Sequence, residues 1–457
     1  MPIFFSTDLL FFLLLLGLTG LVVHMSRREH LRRPWRKVAR SRSAMVSLVI
    51  LLAFLGIAVL DSIRFHPTGN GNGEPVSVLD AWLGPIRTRV ETTYSAPLSA
   101  YAYAKELIRQ PDGRAVWDTP RLKYGGAHLV DPARDRYADI LSTAAGGLGK
   151  GFLAWLVPGA AWAAWLGWRE RSGFRARLGA VVRGRTEVPW RAIGLTLLGL
   201  CLVGGLLGEL GSKYHVLGTD KVGEDVFYQS LKSIRTGLLI GTLTTFATLP
   251  LALVFGILAG YFRGWVDDVI QYLYTMLNSV PGVLLIAAAI LVMQSYMARH
   301  EDEFASLSLR ADFRLLALCL ILGLTSWTGL CRLLRAETLK LRELEYVQAA
   351  RALGVRQGLI LVRHILPNLF HLVLISVALD FSSLVLAEAV LSYINIGVDP
   401  TMDSWGNMIN SARLELARDP VVWWSLAAAF LFMFALVLPA NLFADAVRDA
   451  FDPRRGE

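Results

Sequence analysis

The run STAAGGLGKG, residues 142–151, imitates a phosphate-binding loop. Such a loop reads G-x-x-x-x-G-K-[ST]: glycines free backbone N–H groups to cradle phosphate, and the lysine reaches the terminal phosphates. Ala144 stands where the first glycine is required and Gly151 where the hydroxyl is required, so the run does not make a nucleotide site. Cys201, Cys319 and Cys331 lie in or beside apolar runs without metal-ligand spacing, the eight histidines are dispersed, and there is no nucleophile elbow. Catalysis by this chain is not expected. Two carboxylates stand out instead, Asp380 and Glu388 in SVALDFSSLVLAEAV. Asp380 interrupts a run long enough to cross a bilayer, where an unpaired carboxylate costs about 2.5–3.5 kcal/mol on insertion scales. It must face other helices or a wet cavity, either to meet a cationic substrate group or to pair with another protein chain. Pro250 and Pro281 also interrupt apolar runs, and each either lines such a cavity or kinks ordinary packing.

Between two apolar runs lies EYVQAARALGVRQGLILVRHILPN, residues 345–368. From Leu333 to Leu353 apolar positions recur at helical spacing among strong helix formers. Ala349, Ala350 and Ala352 give this helix a small-residue face that another protein could approach closely. Gly354 is placed to end it in the left-handed conformation that favours glycine. Pro367 cannot continue a helix interior but suits the first turn of the next helix. Ringed by Glu345, Arg351 and Arg356, the helix suits a groove on a partner protein, and the same pattern suits a helix lying on anionic headgroups.

Membrane-crossing helices must position these residues. Hydrophobic residues make up 54 % of the 457 and the mean hydropathy is +0.46, outside the range of a soluble domain. Apolar windows of about 20 residues, enough to cross roughly 30 Å of hydrocarbon, fall near 4–24, 44–60, 151–168, 191–209, 233–260, 269–293, 313–331, 369–391 and 421–443. The net charge of +9 is concentrated between them: eight basic residues against Glu29 in 26–43, seven arginines against two glutamates in 169–191, and seven basic residues against three glutamates in 332–368. The positive-inside bias puts these segments in the cytoplasm, the N-terminus outside and the C-terminus inside. Charge so placed speaks for membrane lipid and against nucleic acid. Tryptophans near span ends (Trp155, Trp162, Trp165, Trp168, Trp190, Trp423, Trp424) suit interfacial anchoring. The chain divides into spans in 1–60, an exterior segment 61–150 that is either a small cap or an irregular excursion, a further span with a basic loop in 151–190, and 191–457.

Gln348-Ala349-Ala350, Gly354 and Ile365-Leu366-Pro367 resemble the EAA signature of permease subunits of binding-protein-dependent ABC importers, with Gln348 in place of the usual glutamate. HVLGTDKVGEDVF (215–227), LAGYFRGWVDDVI (258–270), LAEAVLSYINIGV (386–398), SWGNMI (404–409) and NLFADAVRDAFDPR (441–454) resemble, in the same order, further elements of the C-type permeases of dipeptide, oligopeptide and nickel importers. Val216 and Glu224 depart from that pattern, which has proline and arginine there. The resemblance implies an all-α polytopic protein of a bacterial inner membrane: a six-span permease core over 191–457, plus about three extra N-terminal transmembrane helices. It implies a coupling loop, 332–368, in which Glu345, Gln348, Ala349, Ala350, Arg351, Gly354, Arg356 and Pro367 meet an ATPase. The implied partners are a second homologous permease, two cytoplasmic ATPases that hold the ATP and Mg, and a periplasmic substrate-binding protein; no cofactor is implied in this subunit. The implied solutes are peptides or peptide-like, with nickel chelates as the alternative. Glu388 falls on a recurrent glutamate of the family, which implies a structural or gating role, whereas Asp380 stands where the family tends to have a small residue. His215 and His364 fall in motifs that imply positioning. A stand-alone secondary transporter would need ion-relay carboxylates in several spans and paired inverted repeats, yet only Asp380 lies clearly mid-span and no repeat is apparent.

Overall fold

The computed structural model describes residues 2–3, 5–26, 29–66, 75–109, 115–169, 187–302, 304 and 306–451. Arg27, Arg28, residues 67–74, most of the basic 169–191 loop, the end of the last family-like element at 452–454, and the side chains of Trp162, Trp165 and Trp168 lie outside the described residues.

Within hydrocarbon a helix satisfies every backbone N–H and C=O inside one segment, and the apolar runs are helical. In chain order the helices are α1 (Ser6–Ser26), α2 (Glu29–Arg40), α3 (Arg42–Ser62), α4 (Val78–Trp82), α5 (Gly84–Arg87), α6 (Pro132–Arg169), α7 (Trp190–Gly211), α8 (Val226–Phe262), α9 (Trp265–Ser279), α10 (Gly282–Arg299), α11 (Leu307–Leu341), α12 (Glu345–Ala352), α13 (Gln357–Ile360), α14 (Leu366–Tyr393), α15 (Trp405–Glu415) and α16 (Trp424–Phe451). Among the described residues, eight helices are long and apolar enough to cross a membrane, in α1, α3, α6, α7, α8, α10, Gln357–Tyr393 and α16. The ninth expected span, 313–331, lies inside α11.

Two expectations change. The helix expected at 151–168 begins at Pro132, the small and apolar residues of 140–149 extending it toward its start. The span expected at 269–293 is two helices: Val280 and Pro281 are extended, and proline offers no N–H to continue α9. Pro250, by contrast, sits inside an unbroken α8.

The chain folds as two compact units, 1–3, 36–236 and 403–439 in the first, and 4–35, 237–402 and 440–457 in the second. In the first unit, the α6–α7 pair makes the most extensive interhelical contact. A Cβ on Gly151 would lie 2.3 Å from the Cys201 carbonyl oxygen, and one on Gly205 2.5 Å from that of Gly147. The glycines that imitate a phosphate loop therefore let two backbones touch, the small-xxx-small device of membrane helices. Lys150 adds a 2.6 Å ion pair to Glu209 across the same pair.

The described residues between α3 and α6 are ordered on the loop 212–225. Strands β1 (Pro2–Ile3), β2 (Arg64–Phe65) and β3 (Val76–Ser77) form a small antiparallel sheet, and β4 (Glu106–Arg109) pairs with β5 (Ala115–Asp118) in a hairpin. Glu91 accepts backbone N–H bonds from Lys123, Tyr124 and Gly125 at 2.8–3.0 Å. Buried His215 lies between two carboxylates, its Nδ1 2.7 Å from Asp225 and its Nε2 3.3 Å from Glu91. Gly218 and Gly223, both at positive φ, leave no room for a Cβ beside Ser95 and Glu91. His215 thus fastens the segment to the loop before α8, the positioning role its motif implied.

Burial opposes a charged imidazole here, but hydrogen bonds to Asp225 and Glu91 and the charges of both push His215 up to about 9. Burial likewise opposes an ionised Glu91, which His215 and the three backbone donors hold at about 2. A raised histidine stabilises fully below its unfolded value of 6.5 and ceases to as pH rises through about 9, whereas Glu91 stabilises above 4.5 and ceases to as pH falls through about 2. Protease resistance of the segment that His215 fastens is expected to be greatest between pH 4.5 and 6.5 and to fall progressively as pH rises from 6.5 through about 9. His215→Gln should lower the plateau and remove the alkaline fall; an identical alkaline limb in the variant would contradict this.

The second unit is built on α11. Gly256 and Gly260 of α8 seat it: a Cβ on Gly260 would lie 2.6 Å from Thr338 Cβ and 2.7 Å from the Arg335 carbonyl oxygen, and one on Gly256 2.8 Å from Leu334 Cβ. Arg335 grips Asp267 of α9 through two 2.6 Å hydrogen bonds. At the other end of α11, buried Asp312 accepts from Thr7 of α1.

Candidate coupling site and membrane cavity

Helix α11 ends at Leu341, three residues of turn follow, and α12 begins at Glu345. The continuous helix expected over 333–353 is therefore an elbow. Arg342 donates to the Tyr261 carbonyl oxygen at 2.6 Å, and Arg263 pairs with Glu343 at 3.0 Å, fixing the turn to the end of α8. Val347, 2 % exposed, and Ala350 point into a core with Tyr261, Trp327, Leu334, Ile360, Ile365 and Leu369. Residues advance 100° along a helix, so three alanines at 349, 350 and 352 cannot share one face. Ala350 serves the chain's own core, and Ala349 and Ala352 face outward.

Gly354 ends α12 with φ +73. Its N–H bonds the Arg351 carbonyl and that of Val355 bonds Ala350, both at 3.1 Å, which is the Schellman pattern expected of a glycine there. Leu353 just before it is 83 % exposed. Gln348 donates to the Glu343 carbonyl at 3.1 Å rather than reaching outward. Glu345, Arg351 and Arg356 are exposed and form no ion pair with any described residue. The return path passes through α13 and a π-helical turn, Leu361–Ile365, before Pro367 opens α14. Asn368 bonds the Tyr346 hydroxyl at 3.0 Å and the His364 carbonyl at 2.6 Å, tying the start of α14 to α12. The elbow thus presents a free, partly apolar face on a base locked to α8, α11 and α14.

In the membrane-spanning part of the same unit, Asp380 lines a cavity of about 70 Å³ with Thr245, Thr248, Ser326 and Ser383. Glu388 and Pro281 are not among its lining residues. Glu388 is 2 % exposed, eight residues on from Asp380, and accepts from the Ser392 hydroxyl at 2.7 Å. Gly397 has no room for a Cβ against that same hydroxyl. Glu388 therefore belongs to a packed knot at the end of α14 and Asp380 to open space. Sequence reasoning missed Gly256, Gly260 and the Asp267–Arg335 pair; the G-x-x-x-G spacing was the available signal for the glycines.

A predominantly helical chain with a carboxylate-lined cavity among its membrane helices and an exposed elbow between α11 and α14 is a polytopic membrane transport subunit. The model of the binding-protein-dependent transport system inner membrane component family matches residues 252–457. The chain is 32 % identical over 250 residues to the glutathione transport system permease protein GsiD of Pectobacterium atrosepticum, covering 54 % of this chain and 75 % of that one. It is 32 % identical over 248 residues to the oligopeptide transport system permease protein OppC of Mycobacterium tuberculosis (54 % and 78 % covered). It is 30 % identical over 243 residues to the dipeptide transport system permease protein DppC of Lactococcus lactis (53 % and 65 % covered). A solved inward-facing form of the MetNI methionine ABC transporter is a loose likeness, with TM-score 0.37 and 13 % identity over 49 % of this chain and 97 % of that one. The chain belongs to this family and is a transmembrane permease subunit of a binding-protein-dependent ABC importer.

Proposed function

We propose that this permease carries peptides or peptide-like solutes inward, paired with a second homologous permease, and that α12 docks in a groove on one of two cytoplasmic ATPases. ATP and Mg belong to those ATPases, a periplasmic binding protein delivers the solute, and the elbow and the C-terminus lie in the cytoplasm. The observation that carries this reading is the division of α12 into a buried face, Val347 and Ala350, and a free face with Ala349, Ala352 and Leu353. A helix anchored on one side can transmit a partner's displacement. Closure of the ATPases would move α12, and α11, joined to it by the three-residue turn, and α14, tied to it through Asn368, would follow. Such a device works only because the partner contacts its two states differently. The solute class is supported by the dipeptide, oligopeptide and glutathione permeases among the relatives.

The test is purification of the intact complex from native membranes in mild detergent, followed by reconstitution. Two ATPases and a second permease should accompany the chain, and proteoliposomes with the binding protein should accumulate trialanine only with ATP. A chain that purifies alone and transports without ATP would overturn the reading in favour of a secondary transporter.

A further inference from the structure

The cavity beside Asp380 offers hydrogen-bond acceptors and few donors. A hydroxyl has one proton to give. Thr245 gives its proton to the Gly241 carbonyl at 2.6 Å, Thr248 to Thr244 at 2.9 Å, and Ser383 to the carbonyl of Asp380 itself at 2.8 Å. What these three turn toward the cavity is lone pairs. None of the described residues donates a hydrogen bond or an ion pair to the Asp380 carboxylate, and the remaining walls are apolar apart from Ser326. A cation with several N–H donors complements this arrangement; an anionic group would find repulsion and no donors. About 70 Å³ admits a charged head and a little water but not a whole peptide.

We infer that this cavity binds a protonated amino group of the passing solute, with Asp380 as its counter-charge and the hydroxyl oxygens of Thr245, Thr248 and Ser383 as further acceptors. The inference rests on the permease reading for the path and on the peptide reading for the solute. It predicts a preference for solutes with a free amine or a lysine side chain over acylated ones.

Two arms test it in the intact complex. In the first, Ser383→Cys is labelled with an aminoethyl methanethiosulfonate, a cation, and a sulfonatoethyl one, an anion; the parent with its native cysteines gives the background. The cation should react faster by about tenfold or more than the ratio for a free thiol in solution, given a full charge a few ångströms away in a partly wet site. Adding Asp380→Asn should return that ratio to the free-thiol value. In the second arm, Asp380→Asn should lower uptake of Lys-Ala-Ala by about tenfold on the same Coulombic ground while sparing N-acetyl-trialanine, and Asp380→Glu should restore it. No charge preference in labelling, a preference that survives Asp380→Asn, or loss of the second permease from the Asp380→Asn complex would overturn the inference, the last because it would make Asp380 a subunit contact. If the parent complex carries neither peptide, the peptide reading fails, and the labelling arm still decides the cavity.

Discussion

Gly354→Val is expected to lower ATP-driven uptake by about tenfold or more while the protein stays in the membrane, whereas Gly354→Asn keeps most of it. Nothing lies within 4 Å of the Cβ that either substitution adds, so no new clash with a neighbour accompanies the change. The effect comes from the backbone. At φ +73 an ordinary L-residue pays about 1–2 kcal/mol, and a β-branched one is a genuine outlier there, while asparagine is tolerated. The strain is relieved by giving up the two Schellman hydrogen bonds, which redirects Leu353 and the free face of α12. Each 1.4 kcal/mol lost from a docked state is a factor of about ten in its population. Initial uptake rates at matched membrane levels measure the difference, and a valine variant as active as the asparagine variant would remove Gly354 from the coupling device.

Gly260→Val is expected to be more damaging to the protein itself. Its Cβ would meet the backbone carbonyl of Arg335 at 2.7 Å and Thr338 Cβ at 2.6 Å, so α11 must shift as a body. Overpacking of this kind costs about 1–3 kcal/mol, occasionally more, and the displaced helix also carries the Arg335 side of the pair with Asp267. Gly149→Val, with nothing within 4 Å, should stay within about 0.5 kcal/mol of the parent. Thermal unfolding of the detergent-solubilised complex separates the two: a marked fall for Gly260→Val and almost none for Gly149→Val. Equal effects would contradict the close seating of α8 on α11.

What could be read from the sequence was what short-range chemistry fixes. Gly354 was legible because a left-handed helix end has one favoured residue, and Asp380 because a carboxylate in an apolar run has few places to go. The break at Pro281 was legible as an interruption, whereas Pro250, which interrupts its run in the same way, stays inside α8. Gly147 and Gly151 were tested against a phosphate loop, yet their partner is Gly205, more than fifty positions away, and only the folded pair reveals that two backbones touch. The order of the segment between α3 and α6 was equally hidden: Glu91 and His215 are 124 residues apart, and no local pattern announces their meeting. Ala350 looked outward because composition does not carry the phase of a helix; the core beneath Val347 set it.

The most direct measurement is a photo-crosslinker in place of Leu353, activated in native membranes, with the attached protein identified. A docked α12 places that position, 83 % exposed in the isolated chain, against an ATP-hydrolysing subunit. The expected product is a crosslink to that subunit, lost in Gly354→Val. Crosslinks to lipid alone, with the ATPases present in the membrane, would mean that α12 lies on the headgroups and that coupling runs through another surface.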